Sequence, residues 1–231
     1  MPLNKSTGNM FDFITHTWNP IKGACQHDCI YCYMKRWGEG RLKAPRLVKS
    51  ELKTDLGENN FIFIGSSIDI FAENIPYDWL CNNVLCIANS YSANGNRYLL
   101  QTKNPARYLT LYDDWLNPRH FILSTTIETD LFIPEIMRNS PKPVERAKAM
   151  AKLPKEYKRM VTIEPIMKFN LNALIAVVML FEPEQINIGA DSCHKSLPEP
   201  TAKEITKLHE RLSVFTKVVM KKNLDRILKG E

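Results

Sequence analysis

Between residues 12 and 219 the chain alternates short β-forming runs with segments of helical periodicity, and this alternation limits its folds more than any other feature. The runs Asp12–Thr17, Phe61–Ile64, Tyr98–Gln101, His120–Ser124, Met160–Ile163, Gln185–Ile188 and Thr216–Val219 predict strands. Helices are predicted over Tyr77–Tyr91, Pro105–Trp115, Pro143–Leu153, Asn170–Phe181 and Thr201–Phe215, with a short one just after Cys32. Strands that alternate with helices imply parallel βαβ units rather than a sandwich. We therefore expect an α/β chain: a partial (β/α)6–7 parallel TIM-like barrel, one domain over residues 1–231.

Individual segments support this. Ile205, Leu208 and Leu212 recur at helical spacing, and Thr201 with Glu204 forms a capping box. The segment Asn170–Phe181 is apolar nearly all round and predicts a well-buried helix, and Cys81 and Cys86 read as core residues. No apolar run approaches the ~18–20 residues that span a bilayer. The first thirteen residues also lack the apolar centre of a signal peptide, so a cytoplasmic protein without a membrane partner is expected.

Polar or small residues follow five of the predicted strands: Gly65-Ser66-Ser67, Thr102-Lys103-Asn104, Ser124-Thr125-Thr126, Glu164 and Gly189-Ala190-Asp191. The C-terminal ends of parallel strands form the ligand-binding face of such folds. Taken singly, these residues read as ordinary turns; their recurrence predicts a shared site.

Three of the six cysteines, Cys25, Cys29 and Cys32, crowd the loop after the first predicted strand in a C-x3-C-x2-C spacing. In a cytosolic chain such thiols read as metal or redox groups rather than disulfides. Zinc, with His27 as a fourth ligand, is one possibility, although structural zinc usually draws on two separated ligand pairs. Buried structural cysteines are another. An iron–sulfur cubane fits better: it is normally held by four cysteines, so three local thiolates leave one iron open to a ligand that is not protein.

The motif Cys25, Cys29, Tyr31, Cys32 resembles the signature of radical S-adenosylmethionine (SAM) enzymes. The longer phrase NPIKGACQHDCIYCYM is similar to the opening of the spore photoproduct lyase branch and to a phage-associated three-cysteine family. GSSIDIF, LLQTKNPARY and VTIEPI extend the resemblance along most of the chain. It implies a 4Fe–4S cluster on Cys25, Cys29 and Cys32, with SAM chelating the open iron. It also implies a reductant such as flavodoxin or ferredoxin, and cleavage of SAM to a 5′-deoxyadenosyl radical that takes hydrogen from substrate.

By position the resemblance implies that Tyr31 and Tyr33 contact the adenosyl group. Gly65, Ser66 and Ser67 would meet the methionine end, and Lys103 the carboxylate. Ser124 would support the same end or the ribose, while Glu128, Glu164 and Gly189 would contact ribose or adenine. Lyase-like relatives carry a hydrogen-donating cysteine beside the serine after the second strand. Gly65-Ser66-Ser67 has none, and Cys193 is the candidate substitute. That departure weakens a literal lyase reading and leaves room for isomerisation or rearrangement.

The balance of 31 basic against 25 acidic side chains leaves +6, unevenly spread. Seven basic residues fall between Lys35 and Lys53, and seven more between Lys142 and Arg159. Trp37, Arg41, Lys43, Arg46 and Lys49 are candidate nucleic-acid contacts, because basic groups bind phosphates and aromatic rings stack on bases. A solvated lysine-rich face is the plain reading. A thymine-type base in DNA or a nucleotide is the expected substrate, and a duplex base would have to be swung out of the stack. A peptide or small-metabolite substrate, and a metal-bearing nucleic-acid-binding module without enzyme activity, are the alternatives.

Overall fold

A computed structural model describes residues 3–38, 42–193 and 196–230. Among the described residues there are ten strands: β1 (Asn4–Lys5), β2 (His16–Trp18), β3 (Ile21–Lys22), β4 (Arg46–Leu47), β5 (Phe61–Ile64), β6 (Arg97–Thr102), β7 (Phe121–Thr126), β8 (Lys158–Ile163), β9 (Gln185–Ile188) and β10 (Lys217–Met220). Eight of them form one sheet in the order β1-β2-β5-β6-β7-β8-β9-β10, while β3 and β4 form a separate antiparallel ribbon. From β2 to β10 every ladder of the large sheet is parallel; only β1 runs antiparallel, on β2. The sheet is open, with β1 and β10 at its edges.

All seven predicted strands exist, with Phe61–Ile64 and Gln185–Ile188 at their expected bounds. The first is displaced: β2 covers only His16–Trp18, because the preceding residues have another task. Phe11 and Ile14 pack with Phe61, Phe63, Leu99 and Met160 on one face of the sheet, and the Phe11 and Phe13 rings stack at 5.6 Å. Alternation then sends Ile62, Ile64, Leu100, Leu123, Val161 and Ile188 to the opposite face, into the main core with the helices.

The helices are α1 (Cys86–Ser90), α2 (Tyr112–Trp115), α3 (Pro134–Met137), α4 (Pro143–Ala151), α5 (Leu171–Met179), α6 (Ala202–Ser213) and α7 (Asp225–Leu228). Helix α6 starts as its sequence dictates: Thr201 accepts from the Glu204 amide, Glu204 accepts from the Thr201 amide at 2.7 Å, and Ile205, Leu208 and Leu212 are buried. Asn170 caps α5 by accepting from the Ala173 amide at 3.1 Å. The apolar ring around α5 is only partly covered, with Leu180 just beyond it 47% exposed.

Two helical segments depart from expectation. Pro105–Trp115 is a 3-10 helix over Pro105–Thr110 followed by the single turn of α2. The segment from Tyr77 opens with wide π turns, Trp79–Leu85, before α1. Cys81 is buried as expected, but Cys86 is exposed, which corrects its reading as a core residue. It lies four residues after exposed Asn82, on the wet side of a helix whose covered side carries Val84, Leu85 and Ala88. Among the described residues no helix is long and apolar enough to cross a membrane.

Candidate cofactor and metal site

The cysteine loop leaves β2 through Asn19-Pro20 and the ribbon strand β3. Gly23 sits where the loop presses on the chain before β4: a Cβ there would fall 2.7 Å from the Ala44 carbonyl oxygen, and φ is +143°. Opposite, the Ala24 amide donates to the Lys43 carbonyl at 2.8 Å. Arg46 in β4, Lys43 before it and Lys49 after it, all exposed, thus lie alongside the start of the cysteine loop. Arg41 and the Trp37 side chain lie outside the described residues.

Cys25, Cys29 and Cys32 line one cavity of about 540 Å³ over the C-terminal ends of the strands. Tyr31, Tyr33, Gly65, Ser66, Ser67, Lys103 and Glu164 line the same cavity. Its far wall is formed by Thr7–Phe11, Ala190–Ser192 and Lys221, and Gln101, Thr126 and Thr162 supply polar groups from the sheet. Ten residues assigned from sequence therefore share one space.

The chain's own residues hold these groups in place. Asn19 Oδ1 accepts from the Ser67 amide at 2.9 Å, from the Ser67 hydroxyl at 3.0 Å and from the Ser66 hydroxyl at 3.2 Å. Tyr33 donates its hydroxyl to the Ser66 carbonyl at 2.6 Å. Gly65 turns the chain at φ +79°, with Ile70 Cγ2 only 2.7 Å from where a Cβ would stand.

Beside the cysteines lies a buried charge cluster. Glu128 is fully buried; it accepts from the Tyr31 hydroxyl and from Arg146 Nη1 at 2.8 Å, and Lys103 Nζ stands 3.4 Å away. Burial alone would raise the Glu128 carboxyl, but Arg146 and Lys103 more than offset it and hold the group down at about 2. Lys103 shows the mirror case: burial works against its charge, and Glu128 above all keeps it protonated. With two cations and one carboxylate, the cluster presents a net positive charge to the cavity through Lys103.

At the other end Glu164 accepts from Asn9 Nδ2 at 2.8 Å, Lys221 Nζ at 2.7 Å and Asn223 Nδ2 at 2.7 Å. Lys221 also stands over the Phe11 ring at 4.9 Å. The segment before β2 is thereby tied across the cavity to the ends of β8 and β10.

Not every expected residue reaches the cavity. Ser124 is fully buried one register step below the rim, its hydroxyl without a partner. Glu128 is enclosed behind Tyr31 and Lys103, and Gly189 serves as the space into which the Glu164 carboxylate fits. Cys193 is half-buried beyond Ser192, its amide donating to Asp191 at 2.8 Å. Of the second basic stretch, Arg146 and Arg159 are buried and bond to carbonyls and Glu128, so they are structural groups and not surface contacts. Sequence reasoning passed over Asn9, Asn19, Asp69, Arg146, Lys221 and Asn223. Asn19 and Asp69 lie inside the motifs NPIKGAC and GSSIDIF, where a polar residue among apolar ones was the available signal.

The donor set can be weighed against an iron–sulfur cluster. Among the described residues no three His, Cys, Asp or Glu side chains are gathered into a metal-holding group in this conformation. The Cys29 thiol donates to the Met137 carbonyl at 3.6 Å, and burial, with Asp69 nearby, pushes the Cys25 thiol up to about 12. Metal binding would displace these protons. The chemistry fits: three thiols of one loop open on a single cavity, and His27 bonds Asp69 through Nε2 at 2.9 Å.

Comparison with protein-family models, with curated proteins and with solved structures gave no match in any of the three.

Proposed function

We propose that the chain is a radical SAM enzyme built on a partial (β/α) barrel. The observation that carries this reading is the opening of Cys25, Cys29 and Cys32 on the cavity that also receives Lys103 and the two serines after β5. Seven parallel strands in sequential order, with their helices packed on one face, follow the winding of such a barrel.

Cys25, Cys29 and Cys32 would hold a 4Fe–4S cluster. When bound, the cluster and SAM supply one-electron cleavage of the sulfonium to methionine and a 5′-deoxyadenosyl radical that abstracts hydrogen from substrate. Lys103 offers a cation to the SAM carboxylate, and Ser66 and Ser67 offer hydroxyl groups held by Asn19. Tyr31 and Tyr33 would contact the adenosyl group, and Glu164 the ribose or adenine, since all three line the same cavity. Phe11 and the segment before it would wall the far side of the bound cofactor. Flavodoxin or ferredoxin would supply the electron.

The exposed cations of the β3–β4 ribbon, beside the cysteine loop, favour a nucleic-acid substrate, with a thymine-type base rearranged or cleaved in the cavity. Anaerobic reconstitution with iron and sulfide, then incubation with reductant and SAM, tests the reading. Reductant-dependent 5′-deoxyadenosine supports it; bound zinc with no SAM turnover overturns it. Labelled SAM with modified nucleosides and oligonucleotides, followed by mass analysis, identifies the substrate.

A further inference from the structure

The cysteine loop has almost no regular structure between β3 and the 3-10 helix at Tyr33, so its shape depends on anchors from outside. Main-chain groups of neighbouring segments hold it at three points. The Asn74 amide donates to Gln26 Oε1 at 2.8 Å, the Asn139 amide to the His27 carbonyl at 3.1 Å, and the Ile30 amide to the Ile136 carbonyl at 3.0 Å. Side chains hold it between Cys25 and Cys29 as well: the partly exposed Asp28 pairs with Lys35 and Arg138, and on the buried side His27 Nε2 meets Asp69 Oδ2 at 2.9 Å, with the two side chains only 6% and 10% exposed.

Asp69 has further partners. Its Oδ2 accepts from the Lys103 amide at 2.8 Å, and the Thr102 hydroxyl lies 2.8 and 2.9 Å from its two oxygens. Its Oδ1 also accepts from the Phe71 amide at 3.0 Å. A single buried carboxylate therefore joins the cysteine loop to the point where Lys103 leaves β6.

We propose that Asp69 is a positioning residue that acts through His27 to fix the cysteine loop relative to Lys103. The assignment rests on the radical SAM reading and extends it: metal thiolates and the cation for the SAM carboxylate take their spacing from one group. An acceptor-only carboxylate suits the task, because all its neighbours here are donors. Partners behind the ligands of a metal centre commonly set ligand orientation.

The test uses His27→Ala, His27→Gln and Asp69→Ala in the full chain. Hydrogen exchange of the metal-free chain is expected to quicken across residues 26–32 in His27→Ala, while β6 and β7 stay protected. After reconstitution, His27→Ala should hold iron against a chelator roughly ten- to a hundredfold less well. His27→Gln, which keeps an N–H for Asp69, should recover both properties. Asp69→Ala should in addition weaken SAM binding, because the Lys103 amide loses its acceptor. Unchanged loop exchange and iron retention in His27→Ala would overturn the proposal, and that variant decides the matter should Asp69→Ala fail to fold. A wild-type chain that takes up no cluster would overturn the radical SAM reading alone, and loop exchange would still decide the role of His27.

Discussion

The Glu128 carboxylate and the Arg146 guanidinium meet at 2.8 Å with neither side chain exposed. Arg146 also donates to the Thr126 carbonyl at 2.9 Å, to the Ser140 hydroxyl at 2.9 Å and to the Pro141 carbonyl at 2.6 Å. The pair therefore joins α4 to the end of β7, directly behind Tyr31 and Lys103.

Removing one partner of a buried pair strands the other charge, so Arg146→Met should destabilise the fold by about 3–5 kcal/mol. The pH dependence follows from Glu128, whose carboxyl is held down at about 2. Its unfolded value is about 4.3. A lowered carboxyl contributes stability that is complete above the unfolded value and is lost as pH falls through the folded one. Urea unfolding measured across that acid range should show this loss in the wild type. Glu128→Gln should flatten it, and an unaltered pH slope in that variant would contradict the assignment.

The cysteine loop gives a separate test. Alanine at Cys25, Cys29 or Cys32 should abolish release of 5′-deoxyadenosine from SAM, read by mass analysis. The fold should survive, because these side chains lie in the loop outside the main core, with only Cys25 touching it. Normal turnover in all three variants would remove the thiols from the mechanism.

Much of this arrangement was legible in sequence, and the gaps have physical causes. A strand buried on both faces announces itself as a short apolar run, as Phe61–Ile64 does, and Gln185–Ile188 shows itself by the alternation of Ile186 and Ile188 with polar residues. Asp12–Thr15 looks β-forming too, but Phe13 within it and Phe11 before it cover the sheet instead of extending it. Local chemistry marked the start of α6 at Thr201, whereas nothing local distinguishes Arg146 from the exposed lysines of its stretch. Its partner Glu128 is 18 residues away, and only folding brings them together. The same holds for Glu164 and Lys221, 57 residues apart. Cysteine spacing is a local signal; the carboxylates and amides that hold the loop are not.

The β3–β4 ribbon supplies the test of substrate class. Replacing Lys43, Arg46 and Lys49 together by Gln should weaken binding to DNA and flatten its salt dependence. The slope of log K against log salt should drop by about 0.9 for each phosphate that is no longer neutralised. Fluorescence anisotropy with an oligonucleotide over a range of salt concentrations measures this, and an unchanged slope would take the ribbon out of the interface. These side chains are exposed, so the folded state should tolerate the change.

The far wall of the cavity carries the last test. A Cβ on Gly189 would stand 2.6 Å from Glu164 Cδ and 2.7 Å from its Oε1. Space, not backbone conformation, is what glycine provides there. Glu164 cannot swing aside freely, because Asn9, Lys221 and Asn223 all donate to it. Gly189→Ala should therefore cost about 1–3 kcal/mol, the usual range for forcing an extra methyl into a packed site. With Glu164→Ala already present the methyl finds room, so the double variant should lose clearly less than the two single losses combined. Urea midpoints of the four proteins measure the coupling. Additive losses would show that the Glu164 carboxylate does not occupy the space over Gly189, and that the tie from Asn9 across the cavity is not held there.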